Sequence, residues 1–164
     1  MDQKVIFNTA DAVKIDTELI NSLKKTAAGN ESRKVTLCLH KTHADGVHEM
    51  INVYPKGLYV RPHKHPIKTE TKHMIEGKMI MLIFDDQGHV TDQFELAERT
   101  LGGCLAHRLE KNYFHSIVPL SDIVVFHEII NGPYTGIDDS LFPDWAPEIT
   151  DQEGIKAFMG KIMK

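Results

Sequence analysis

Apolar residues along this chain follow two spacings in turn. Leu19, Ile20, Leu23 and Ala27 recur every three or four positions, which predicts an amphipathic helix over about 17–28. Asp16 is its N-cap, Glu18 complements the dipole of its first turn, and Gly29 terminates it. Ahead of it, residues 1–15 read as a short strand or arm anchored by Val5, Ile6, Phe7, Val13 and Ile15. From Val35 to Phe126 the pattern shortens to that of strands, predicted over 35–39, 48–54, 59–63, 70–76, 78–84, 90–96 and 123–130. Asp85-Asp86-Gln87-Gly88 is a hairpin turn between two of them. Beyond Gly132-Pro133 the chain becomes irregular. It then ends in a helix over about 151–163, capped by Asp151, with Ile155, Phe158, Met159 and Ile162 on one face. Many short strands separated by turns indicate a mainly β sandwich or barrel. The expected organisation is one structural domain, with an arm and helix over 1–34, a barrel over 35–132 and a tail with a helix over 133–164. The first helix is expected to pack on the barrel or to support a dimer contact.

Composition narrows the class. The 164 residues suffice for one domain with a real core, and 41% hydrophobic with 26% charged residues is ordinary for a soluble protein. A formal net charge of −4, with scattered lysines, excludes general nucleic-acid binding. Cys38 and Cys104 form no CxxC pair, so a reducing, cytoplasmic setting is expected, with both cysteines as small buried residues. No apolar run approaches the roughly 20 residues of a membrane span, and no signal peptide is read at the N-terminus.

The chemistry concentrates in Gly57-x5-His63-x-His65-x4-Glu70-x6-Gly77. His63 and His65 are two apart and share a face of an extended chain. A turn at Pro66 returns the chain so that Glu70 projects into the same space. Two imidazoles and a carboxylate suit a divalent transition metal such as iron, zinc, nickel or manganese; the plain alternative is a solvated histidine pair. With Glu70 inward, Lys72 and Met74 share its face, whereas Thr71 and His73 point outward. Tyr59, Arg61 and His63 share one parity, so Arg61 is expected beside the metal. There it either grips an anionic group bidentately or serves as an ion-pair partner of Glu70 or Glu128. Glu128 needs a partner if it faces inward. It would either orient a ligand histidine or face solvent. His43, His48, His89 and His127 carry no motif support.

That spacing resembles the first motif of the cupin superfamily at every position. The second cupin motif resembles Glu110-Lys111-Asn112-Tyr113-Phe114-His115, with Glu110 and Asn112 in place of proline and glycine. This resemblance implies a cupin double-stranded β-helix, a jelly-roll barrel, and makes His115 a further metal ligand. Asn112 suits the glycine position because Asn tolerates left-handed backbone angles. Arg33, His40, Tyr59-Val-Arg61-Pro-His63, Gly132-Pro-Tyr134 and Trp145-Ala-Pro147 resemble the WbuC-type cupin-fold metalloproteins, over roughly residues 16–148. His48-Glu49 departs from that pattern. The resemblance implies a link to bacterial surface-polysaccharide (O-antigen) metabolism, with no defined reaction; a homodimer is expected by cupin habit and by the need to cover exposed strand edges.

The expectation is therefore one divalent metal on His63, His65, Glu70 and His115, in an enzyme of isomerase or oxygenase type. Its substrate would be a small polar, anionic or saccharide-related molecule. Arg61 would bind an anionic group, and Tyr59 or His40 would move protons. The rival is a non-catalytic metal- or sugar-binding or dimerisation module; a closed, structural metal is a third reading. Tyr113, Tyr134 and Trp145 are expected either at the cavity mouth or in ordinary packing, and His40 and His107 at its rim. No nucleophile elbow surrounds Ser116, and Gly102-Gly103 lacks the context of a phosphate loop.

Overall fold

The computed structural model describes residues 4–163; the first three residues of the predicted arm, and Lys164, lie outside them. Among the described residues nine strands and two α-helices are formed, and their arrangement follows from which side of each strand is apolar. The strands are β1 (Val5–Phe7), β2 (Val35–Cys38), β3 (Val47–Pro55), β4 (Glu70–Glu76), β5 (Lys78–Phe84), β6 (Val90–Ala97), β7 (Ala106–Leu109), β8 (Phe114–Pro119) and β9 (Ile123–Asn131). They form a six-stranded sheet, β1-β2-β3-β9-β4-β7, and a three-stranded sheet, β6-β5-β8. The result is the predicted mainly β jelly-roll sandwich. Helix α1 (Thr17–Gly29) is capped by the Asp16 carboxylate, which accepts from the Leu19 N–H at 3.0 Å. It lays Ile20, Leu23 and Ala27 on Val35, Ile51, Val53 and Val125, the outer face of the larger sheet. Helix α2 (Gln152–Ile162) brings Phe158, Met159 and Ile162 against Phe84 and Phe114 of the smaller sheet. Trp145 stacks on Phe158 there, so of its two expected roles packing is the one formed.

The inner face of the larger sheet is organised in rows. Register places His48 opposite Ile130 and Ile130 opposite Glu70, then Met50 opposite Glu128 and Glu128 opposite Lys72. Alternation therefore turns Glu70 and Lys72 inward and leaves His73 exposed, as the spacing predicts. A strand over 59–63 is not formed. Pro62 has no N–H for a ladder, and the chain from Leu58 to Pro62 runs irregularly until His63 bridges His115. Two strands were not predicted, β7 and β8; in β8 every residue is buried, including His115 and Ser116, so no alternation is visible. Cys38 is buried as expected, but Cys104 is exposed.

Three motif positions have a left-handed backbone, Gly57 at φ +69° among them. Asn112 has φ +70° and donates its N–H to the His65 carbonyl at 2.7 Å. Gly77 has φ +78°, and a Cβ there would lie 2.8 Å from the Ile123 carbonyl oxygen.

Ile51 is fully buried between α1 and the sheet. Ile51→Ala should cost about 2–5 kcal/mol, the usual range for such a truncation, as read by urea unfolding. A loss below about 1 kcal/mol would show that α1 is not packed there.

Candidate metal centre

Three imidazoles converge where β8 meets the irregular chain that precedes β4. One ring nitrogen from each of His63, His65 and His115 lies within 4.8 Å of the others. The opposite nitrogens are all tied to main-chain carbonyls. His63 Nδ1 donates to Arg61 at 2.9 Å, His65 Nδ1 to Asp139 at 2.7 Å and His115 Nδ1 to Tyr113 at 3.0 Å. A carbonyl oxygen only accepts, so each Nδ1 carries the proton. With Nδ1 as the protonated nitrogen, it is the Nε2 of each ring that turns to the centre. Burial and the nearby His115 push the His63 pKa down to about 3, and burial lowers that of His65 as well. Both stay neutral at ordinary pH.

Glu70 supplies the negative charge. Its Oε1 lies 3.1 Å from His115 Nε2 and its Oε2 3.8 Å from His65 Nε2. Burial raises its pKa, but the Lys72 ammonium and the nearby His115 together outweigh that and hold it well below the carboxylate range. Glu70 Oε2 and His115 Nε2 are buried and make no hydrogen bond. Lone pairs set face to face around unsatisfied buried atoms call for a cation, so this donor set fits a divalent metal. Nitrogen and oxygen donors without thiolate suit iron, manganese, nickel or zinc.

A cavity of about 270 Å³ opens beside the histidines. Its walls include Met50, Tyr54, Val60, Phe126 and Ile130, with Lys72, Glu128 and His48 as polar groups. Lys72 is almost fully buried. It pairs with Glu70 in a short contact and with Glu128 at 3.1 Å. Burial lowers its pKa, yet the two carboxylates raise it above the ordinary lysine value, so it remains an ammonium. Glu128 also accepts from Asn52 at 2.9 Å, and Asn52 accepts from Thr36 at 2.6 Å. Glu128 thus faces inward, yet it holds Lys72 rather than a ligand histidine.

The remaining expected residues sit around this cavity. Arg61 lies in an adjoining cleft with Tyr59 and His63, and its guanidinium pairs with Glu148 at 2.7 Å and stacks over Phe142. Neither Glu70 nor Glu128 is its partner, because the strand that would have aimed it inward is absent. The Tyr59 hydroxyl donates to the Pro147 carbonyl at 2.9 Å, and burial pushes its pKa up to about 12. His40 lies behind the cavity wall, stacked on His48 at 4.0 Å between ring centroids. It is His48, for which no role was expected, that lines the cavity. Tyr134 lines it too, whereas Tyr113 is exposed and contributes only its carbonyl. His107 packs on Phe94.

The family described as "Domain of unknown function (DUF6016)" matches residues 15–96, half of the chain. The chain belongs to this family. That match includes His63, His65 and Glu70 and stops before His115. No curated protein matches. Among solved structures, CapF with the inhibitor 3-isopropenyl-tropolone superposes with a TM-score of 0.55 at 19% identity, covering 69% of this chain and 32% of CapF. The chain thus spans about a third of CapF, and the likeness establishes the cupin fold. Oxalate decarboxylase from Bacillus subtilis, in its structure at pH 4.6, aligns at a TM-score of 0.48 and 17% identity, over 60% of this chain and 24% of that one. A structure from a study of the DMSP lyases RdDddP and RnDddQII aligns at 0.45 and 15%, over 60% and 44%. Among the described residues no helix is long and apolar enough to cross a membrane.

The neutral histidines set a pH dependence for the metal-free protein. An unfolded His63 takes a proton near pH 6.5, whereas the folded one resists until about 3. Stability is therefore full above about pH 6.5 and is lost as pH falls, each such imidazole adding a slope of about 1.4 kcal/mol per pH unit. Urea unfolding of metal-free protein between about pH 7 and 5 should show this decline. A flat or rising profile would contradict neutral, buried imidazoles.

Proposed function

We propose that this cupin is a metal-dependent enzyme holding one divalent transition metal on His63, His65, Glu70 and His115. The observation that carries the reading is the set of three Nε2 lone pairs, each fixed by an Nδ1 hydrogen bond, beside a buried carboxylate. Bound there, the metal would supply Lewis acidity to a substrate oxygen. A cavity of about 270 Å³ suits a small molecule, and the Lys72–Glu128 pair supplies its polar wall. Arg61 adds a site for an anionic group in the adjoining cleft, since its Nε is buried and unpartnered. Tyr59, already donating to Pro147, shapes that cleft, and His40 backs His48. The proposed substrate is saccharide-related and the setting surface-polysaccharide metabolism in the cytoplasm. The WbuC-type resemblance alone supports the polysaccharide link; the cytoplasmic setting rests on the two unpaired cysteines, and a homodimer on cupin habit and the need to cover strand edges.

A non-catalytic binding module is favoured by one feature. Both oxygens of Glu128 and the Lys72 ammonium are already engaged, which leaves the Lys72–Glu128 pair no idle base. It predicts ligand binding without turnover.

Metal analysis of untagged protein should find about one iron, manganese, nickel or zinc per chain. His115→Ala should lose most of that metal while keeping its far-UV circular dichroism. Wild-type protein without metal after anaerobic reconstitution would overturn the reading.

A further inference from the structure

His65 is fixed by a segment distant in sequence. The chain from Pro133 to Phe142 crosses beside the cavity as a strap, with Gly136–Asp139 in a 3-10 turn. Asp139 gives its main-chain carbonyl to His65 Nδ1 at 2.7 Å and lines the cavity together with Tyr134. The strap has little apolar anchorage here, because Ile137 is 90% exposed and Leu141 and Phe142 are about half exposed. Charge holds it instead. Lys68, 4% exposed, places its ammonium 2.5 Å from the Asp139 carboxylate and donates to the Pro133 carbonyl at 2.6 Å. The same carboxylate accepts from the Thr135 N–H at 3.1 Å and hydroxyl at 3.0 Å. Lys68 stands three residues after His65, on the loop that leads into β4, and Lys64 is joined to Leu141 by two backbone hydrogen bonds.

We infer that Lys68 and Asp139 are positioning residues for the metal centre: their buried ion pair holds the strap whose carbonyl fixes the tautomer and direction of His65. This deepens the metal-centre reading and rests on it. Neither side chain would touch the metal. Their effect passes to one ligand through the strap, whose Asp139 carbonyl and Ser140 hydroxyl, 2.7 and 3.3 Å away, both meet His65 Nδ1; the loss of such an outer contact weakens metal binding about 10- to 100-fold. The other two histidines take their Nδ1 partners from Arg61 and Tyr113, each two residues away on its own segment. His65 alone depends on a remote element.

The test is a Co(II) titration of metal-free protein, followed by the cobalt absorption bands and by competition with a chelating dye. Lys68→Met removes the ammonium. Asp139→Asn keeps the main-chain carbonyl and an oxygen for Thr135 while removing the charge, and decides the matter if Lys68→Met does not fold. We expect Co(II) affinity to fall about 10-fold or more in either folded variant, with altered band positions. His65→Ala should fall at least as far and should not be weakened further by Asp139→Asn. Wild-type affinity and bands in folded Asp139→Asn, even with a lowered melting temperature, would overturn the inference and leave the metal centre standing. A wild-type protein that binds no Co(II) would overturn the metal centre itself.

Discussion

Each site histidine gives its Nδ1 proton to a main-chain carbonyl, and the chemistry of the centre depends on that constraint. An unheld imidazole can present either nitrogen, and as a cation it presents no lone pair at all. Here the choice is made by the backbone, before any ligand arrives. Two of the carbonyls are local, two residues before their histidines, so the irregular chain before β4 and the turn at Asn112 set them. The third comes from the strap. Burial then makes protonation costly, which keeps the lone pairs available.

The charged groups obey the same logic. Two carboxylates and an ammonium are removed from water on the inner face of the larger sheet, which is unfavourable unless each is paired and hydrogen-bonded. Lys72 meets Glu70 and Glu128, Glu128 also meets Asn52, and Asn52 meets Thr36. The row register of β2, β3, β9 and β4 brings these partners side by side. The network stops at Glu70 Oε2 and His115 Nε2, which have no hydrogen-bond partner. That interruption coincides with the converging imidazoles, so the proposed cation would answer both.

Much of this was legible in the residues. Asp16, the apolar stripe of α1 and the alternation in β4 fixed those elements, and they turned Lys72 inward and His73 outward. The spacing from Gly57 to Gly77 pointed to three of the four proposed donors. Parity failed where a strand was assumed and Pro62 prevents one, so Arg61 was expected in the wrong cavity wall. β8 escaped because a wholly buried strand does not alternate. His48 was hidden for a different reason: its place follows from the register of β3 against β9, which no local spacing encodes. Lys68 and Asp139 look like surface charges in sequence and are buried only because residues 71 apart meet.

X-ray absorption at the metal edge of reconstituted protein tests the central claim most directly. Three imidazoles and one carboxylate predict a first shell of nitrogen and oxygen at about 2.0–2.2 Å. Outer-shell scattering should fit three histidine rings. A shell without imidazole scattering, or one containing sulfur, would contradict the account.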